Sequence, residues 1–287
     1  MDGIELGDKH AIDALRNEHN HKLSSHAFTS LYLWREYMGL EMHMLGDGFA
    51  VRATRLGSDT WFFPCGSEAC RRAFIDRRVR RPGLHLLYMR PDDAQWLTQH
   101  YPGMWKLTRD ESADEYIYER HEHIELAGGR YGHIRWRMNK IRRDYAVRVE
   151  PLSESNADDA KRIAQEWFKR NIGAQTGPLD DNAAVHEALA HWKQLGMQGV
   201  IVYLDSRPAA FMMGFELAED TFDASIGKCA MNVQGLTYFA LRELFMATPE
   251  RFKWFNLEED LGLSGLRAMK AHFLPNGKNE IWEARRI

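Results

Sequence analysis

Three consecutive carboxylates, Glu258, Glu259 and Asp260, follow a short apolar run, FKWF at 252–255. They precede a turn hinged on Gly262 and Gly265, and Arg267 and Lys270 follow at helical spacing. Adjacent acids repel one another unless a cation or a polar ligand answers them. Acids at the C-terminal end of a strand, just ahead of a helix, sit where α/β-type sheets gather their chemistry. Such a group could orient a cationic amine or accept its proton, so Glu258, Glu259 and Asp260 are the catalytic candidates. Arg267 and Lys270 could bind phosphate, or they could pair with the acids in an internal polar cluster. The plainer alternative for the acids is a solvated turn that favours the positive end of the next helix.

A second constellation is RYGHIRWRMNKIRRDY, residues 130–145. Tyr131, Ile134, Met138, Ile141 and Tyr145 recur at spacings of three and four, which predicts one apolar stripe on a helix. Arg130, Arg135, Arg137, Lys140, Arg142 and Arg143 surround it, opposed only by Asp144. Arg135, Asn139 and Arg142 share a flank. A helix so one-sided in charge suits an anionic partner such as phosphate, nucleic acid or an acidic membrane surface, or it is a solvated face balanced by acids elsewhere. Further upstream, RRAFIDRRVRR (71–81) is also basic, but it lacks the aromatic interleaving of a nucleic-acid platform.

Other chemistry is sparse. Cys65, Cys70 and Cys229 are few and odd in number, which fits a reducing compartment without a disulfide framework. Cys65 and Cys70 lack a second ligand pair at metal spacing, so no metal site is expected. HEH at 121–123 would place His121 and His123 on one face of a strand, as a surface pair. Apolar residues at 44%, charged residues at 28% and a formal charge of −3 are ordinary for a soluble protein. No apolar run approaches the ~20 residues of a membrane span, and the acidic, polar start has no signal pattern.

These residues need elements to hold them. Before residue 112 the periodicity predicts a helix at 25–38, short strands at 41–45, 49–55 and 60–63, and a basic helix from an N-cap at Ser67 to 80. A strand at 85–88, a helix at 92–100 and a strand at 104–108 follow. The polar run TRDESADE marks a boundary, giving domains at 1–112 and 113–287. Beyond it lie strands at 116–118 and 147–149, helices at 155–170 and 182–195, and strands at 200–204, 209–216 and 221–229. An almost wholly apolar helix at 235–248, a strand at 252–255, a helix at 263–272 and a last strand at 279–282 complete the chain.

That order resembles the GCN5-related N-acyltransferase (GNAT) fold, and the first half has a shortened version of the same mix. The fold class expected is therefore α+β: two tandem GNAT-like domains, each a mixed sheet flanked by helices. The resemblance implies a sheet that splays open between 221–229 and 252–255 to admit an acyl donor. EYIYERHEHIELAGGRYGHIRWRMNKIRRDY and FNLEEDLGLSGLRAMKAHFLP further resemble the soluble C-terminal catalytic domain of phosphatidylglycerol lysyltransferases and its free-standing bacterial relatives, from about Ser25 to the end. Arg135 and Asn139 fall on that family's usual Arg and Asn, whereas Gly132, His133 and Ile134 replace part of its Lys/His cluster.

The resemblance implies transfer of an aminoacyl group from aminoacyl-tRNA to an amine or hydroxyl acceptor, on a small molecule or a lipid. It implies no required cofactor, tRNA as a partner, and a cytoplasmic protein or one peripheral to the inner membrane face. Donor contacts would come from Arg135, Asn139, Arg142, Lys228, Gly235, Arg267 and Lys270. Acetyltransferases of this fold hold the coenzyme A pyrophosphate on a glycine-rich loop at a helix N-terminus. Here the loop is MNVQGLTYF with Gly235 alone, and Phe273 stands near the position of their tyrosine acid. An acyl-CoA-dependent N-acyltransferase and a non-catalytic ligand- or RNA-binding module are the alternatives.

Overall fold

The computed structural model describes residues 3–171 and 181–287. Two compact units emerge: Met1–Tyr116 with Glu258–Gly262 and Lys278–Ile287, and Ile117–Leu257 with Leu263–Gly277.

The first unit opens with α1 (Lys9–Glu18), a polar helix that the sequence pattern does not announce. A 3₁₀ turn at Ser24–His26 leads into α2 (Phe28–Met38), which stops at Gly39 in the left-handed region, φ +62°. β1 (Leu40–Met44) and β2 (Phe49–Ala53) form a hairpin, and β3 (Thr60–Phe62) continues it. α3 (Glu68–Arg78) starts where Ser67 accepts a hydrogen bond from Cys70 N at 3.2 Å, as its sequence predicts. It crosses over to β4 (His85–Met89), parallel to β3. α4 (Pro91–His100) has proline in its first turn, where the missing N–H costs nothing, and β5 (Trp105–Arg109) follows. Trp61, Phe63, Phe74, Leu86 and Leu97 are among the residues that fill the core between sheet and helices.

β6 (Glu115–Glu119) runs into the second unit. The HEH segment is helical, not extended. Glu119 caps α5 (Arg120–Glu125) by accepting from His121 N and Glu122 N. His123 is buried, with Nδ1 on Glu119 O and Nε2 on Phe273 O, so the two histidines are not a surface pair. The basic helix α6 (Gly132–Asp144) buries Ile134, Met138 and Ile141 as its stripe requires, with Tyr131 just ahead of it.

β7 (Val147–Pro151), α7 (Ala157–Asn171), α8 (Asn182–His191), β8 (Met197–Leu204), β9 (Arg207–Ala218) and β10 (Thr221–Cys229) follow. β7 to β10 pair antiparallel in sequence order. The β8–β9 turn uses Asp205 and Ser206 at φ +49° and +65°, the double left-handed pair of a twisted hairpin. α9 (Leu236–Ala247) is nearly all buried and crosses over to β11 (Trp254–Asn256), parallel to β10. α10 (Ser264–His272) and β12 (Gly277–Asn279) come next, and the sheet order is β12-β6-β11-β10-β9-β8-β7.

The strand expected at 279–282 is instead two: β12, and β13 (Trp282–Arg286), which belongs to the first unit. β13 inserts antiparallel between β4 and β5, giving the order β1-β2-β3-β4-β13-β5. Its Ala284 is fully buried in that unit's core. Both sheets mix parallel and antiparallel pairs and carry helices, the tandem α+β arrangement that the element order predicts.

Candidate functional site

In the second unit the sheet forks between β10 and β11. They pair only through Thr221–Trp254, Phe222–Phe255 and Asp223–Asn256, because β11 ends at Asn256. β10 continues to Cys229, and its register against β9 slips between Asp223 and Ile226. Such an irregularity bends a strand and re-aims its side chains. Two polar residues outside the predicted set, Asp223 and Asn256, lie wholly buried at the vertex. A lone polar residue inside an apolar strand carries no periodic signal.

Lys228 lies further along β10 and is buried. Its Nζ donates to Asp181 Oδ2 at 2.5 Å and sits 4.1 Å from the Trp167 ring centroid. A phosphate arriving here would have to compete with Asp181 for the ammonium.

The start of α9 is Gly235, at φ +90°. A β-carbon there would fall 2.7 Å from Arg137 Cβ, so only glycine lets α6 approach this closely. Leu236 N donates to Val233 O at 3.1 Å, which removes one N–H from any anion. Arg137 Nε is buried and has no hydrogen-bond partner among the described residues. Arg137 thus joins the candidates, although its position in the sequence marks it only as one charge among several on α6.

The predicted flank of α6 divides into separate tasks. Arg135 Nη1 donates to Leu126 O and, at 2.6 Å, to Gly128 O, and so holds the end of α5. Arg142 pairs with Glu243 at 2.9 Å and lies over Phe239. Asn139 is exposed. Trp136, 53% exposed, stacks with His133 on the outer face.

On α10, Arg267 is exposed and Lys270 is buried. Lys270 Nζ donates to Leu257 O at 2.5 Å, and its own carbonyl accepts from Tyr118 Oη at 2.8 Å. This clamp fixes the helix to the strand exit. Phe273 is fully buried against Tyr118 and His123, and its ring stacks on Tyr238, so no acid acts from that position.

The acidic turn belongs to the first unit, whereas the candidate donor contacts belong to the second. Its three carboxylates are not equivalent. Asp260 is wholly buried, accepts from Tyr116 Oη at 2.6 Å and closes the turn by accepting from Gly262 N at 2.9 Å. Glu258 accepts from Ser24 Oγ at 3.0 Å, and its carbonyl accepts from Tyr116 N. Glu258 and Glu259 are half-buried. Glu258 and Leu261 adopt left-handed backbone, φ +58° and +55°, at a cost of about 1–2 kcal/mol each. Strain of this kind persists only where surrounding bonds over-determine it.

Nearby, buried Glu115 accepts from Ser24 N at 2.7 Å and from Asn279 Nδ2 at 2.9 Å. Tyr88, also left-handed at φ +54°, faces this acidic group. Its hydroxyl is held well above the usual tyrosine range by burial, and the charges of Glu259, Asp110, Glu115 and Glu258 push the same way. Burial also raises Tyr116, with the bond to Asp260 adding and Lys278 opposing. Both phenols stay protonated at neutral pH, and the acids around Tyr88 make a field that favours a cation. Among the described residues, no three His, Cys, Asp or Glu side chains gather as metal ligands.

The family model for the C-terminal region of phosphatidylglycerol lysyltransferase matches residues 16–284. The chain belongs to this family. A conserved protein of unknown function from Bacteroides thetaiotaomicron VPI-5482 has the same fold, with TM-score 0.91 at 24% identity, covering 100% of this chain and 99% of that one. L-PGS from Bacillus licheniformis gives TM-score 0.67 at 15% identity, over 97% of this chain and 92% of that chain. A tandem GNAT protein from the clavulanic acid biosynthesis pathway gives 0.51 at 8%, over 98% and 94%. Comparison with curated proteins yields no match. In this lysyltransferase-like chain, no helix among the described residues is long and apolar enough to cross a membrane.

Proposed function

We propose that this protein transfers an aminoacyl group from an aminoacyl-tRNA to an amine or hydroxyl acceptor. The nucleophile's lone pair attacks the ester carbonyl, the bond from carbonyl carbon to ribose oxygen breaks, and the proton lost by the nucleophile ends on that oxygen. Glu258 and Glu259 suit recognition of a cationic amine, and Asp260 would hold the turn. The cationic residues Arg137, Arg142, Arg267 and Lys228, with Asn139, would serve the donor's phosphates and terminal nucleoside. Arg135 and Lys270 would act by positioning, through the carbonyls they hold. No resident cofactor is needed.

The observation that supports tRNA over coenzyme A is the crowded start of α9. A pyrophosphate cradle needs several unobstructed backbone N–H groups at a helix N-terminus. Here Arg137 packs on Gly235, and Val233 takes the N–H of Leu236. The family match over residues 16–284 points the same way.

The deciding assay incubates radiolabelled aminoacyl-tRNA with a cell extract, with and without the protein. Label leaving tRNA for a new product only when the protein is present is the expected result, with Glu259→Gln slowing it at least tenfold. Label that stays on tRNA, together with a melting-point rise of several degrees in acetyl-CoA, would replace this reading with acyl-CoA-dependent transfer. Inertness toward both donors would leave a binding module.

A further inference from the structure

A cavity of about 530 Å³ in the first unit uses neither the acidic turn nor α6. Met42, His43, Met44 and Leu45, from β1 and the turn after it, form one wall, and Arg77, Arg78 and Arg81 form the other. β1 is the edge strand of its sheet, so this wall is not covered by another strand. The volume falls within the ~300–1,000 Å³ usual for small-molecule sites. Among the described residues, no carboxylate lines it. The nearest acid on β1, Glu41, is 3.6 Å from Arg52 and 3.9 Å from His43 Nε2, the latter too far for a hydrogen bond.

The basic wall is short of partners. Arg77 and Arg81 make no side-chain hydrogen bond or ion pair among the described residues, and neither Arg78 Nε nor His43 Nε2 has a hydrogen-bond partner. Arg78 lies over Trp61 and Phe74, at 4.3 and 4.1 Å from their ring centroids, which anchors its side chain against the core. Burial lowers its pKa, and Arg81 and Arg77 lower it further while Asp59 opposes. Cations at the end of α3 do favour the helix dipole. That explains Arg77 and Arg78 but not Arg81, which lies beyond the helix, nor the apolar wall opposite. The half-charge of the helix terminus is also too small to cancel three guanidiniums.

We propose that this cavity binds a small organic phosphate, with the phosphoryl group on Arg77, Arg78 and Arg81 and the apolar part on Met42, Met44 and Leu45. Planar guanidiniums match phosphoryl oxygens in pairs. The methionines adapt to an apolar group of variable shape.

The test is calorimetric titration of the intact protein with butyl phosphate, inorganic phosphate and butyltrimethylammonium. Butyl phosphate should bind about tenfold tighter than inorganic phosphate, as partial burial of its chain implies, and the cation should not bind. Arg77→Ser/Arg81→Ser should weaken butyl phosphate at least tenfold. Both side chains are exposed, so its melting temperature should match the parent's. Met44→Ser should reduce the preference for butyl phosphate over inorganic phosphate. Failure of the parent protein to bind butyl phosphate overturns the proposal, as does an unchanged affinity in the double variant. Equal affinity for the two phosphates overturns the apolar subsite. Retention on phosphatidic acid vesicles or RNA without binding of butyl phosphate overturns it in favour of a surface patch.

Discussion

Gly235 and Arg137 are in backbone-to-side-chain contact: the place a β-carbon would take on Gly235 is 2.7 Å from Arg137 Cβ. One glycine thus sets both the entry to α9 and the seat of α6. Gly235→Ala would add a clash to a backbone at φ +90°, and should cost about 1–3 kcal/mol in urea unfolding. Arg137→Ala keeps the β-carbon, so adding it should not rescue Gly235→Ala. A Gly235→Ala protein as stable as the parent would sink this account.

Tyr116 and Asp260 make a second close pair. Tyr116→Phe removes the 2.6 Å hydroxyl donor from a carboxylate with no exposure. Losing a hydrogen bond to a buried charge costs about 1.5–3 kcal/mol. Equilibrium unfolding of Tyr116→Phe, Asp260→Asn and the double variant should show the two changes to be strongly non-additive. Additive losses would mean that the bond contributes little.

Lys228 tests whether a buried cation is structural or reserved for a donor. Lys228→Met keeps much of the stem over Trp167 but strands Asp181, which is only partly buried. A loss of about 1–3 kcal/mol is expected. If stability is unchanged while tRNA binding falls, the ion pair with Asp181 is incidental and Lys228 is a donor contact.

Stability should fall in mild acid. His26 is buried with Nε2 donating to Phe63 O, and burial lowers its pKa to about 4, with Arg90 and Arg16 adding and Asp93 opposing. His21, 4.0 Å away ring to ring, is lowered too, chiefly by burial. The unfolded chain therefore binds more protons than the folded one between pH 6.5 and 4. The contribution is complete above about pH 6.5 and is lost as pH falls toward 4, on the order of 3 kcal/mol for His26. Urea titrations at pH 7.5 and 4.5 should show the drop, and His26→Gln should reduce it. An identical pH slope in His26→Gln would exclude His26 as its source.

Much of this was legible in the residues. Of the stripe, Tyr131, Ile134, Met138 and Ile141 are buried as their spacing requires, whereas Tyr145 is the extended C-cap of α6 and only partly buried; Ser67 caps α3. β10 runs over the same residues that its pattern gave, Thr221–Cys229. α1 was not read from the sequence, because it is short and polar on average and buries only Ile12 and Arg16. HEH alternates over too few residues to tell a strand from a turn of helix, and the cap from Glu119 decides it. Nor does any local pattern say that β13 pairs with β4 and β5, because partner choice is non-local. The candidate site was legible as charge. Which charges hold the frame could not be read until Arg135 and Lys270 were seen on main-chain carbonyls.

The insertion of β13 between β4 and β5 has a consequence for biogenesis. Large proteins usually fold from the N-terminus as the ribosome delivers them. Here the central gap in the first sheet stays open until Trp282–Arg286 have been synthesised, after every residue of the second unit has appeared. The later unit can close while the earlier one still exposes the unpaired edges of β4 and β5. A nascent chain stalled before residue 282 should therefore engage chaperones through its first half.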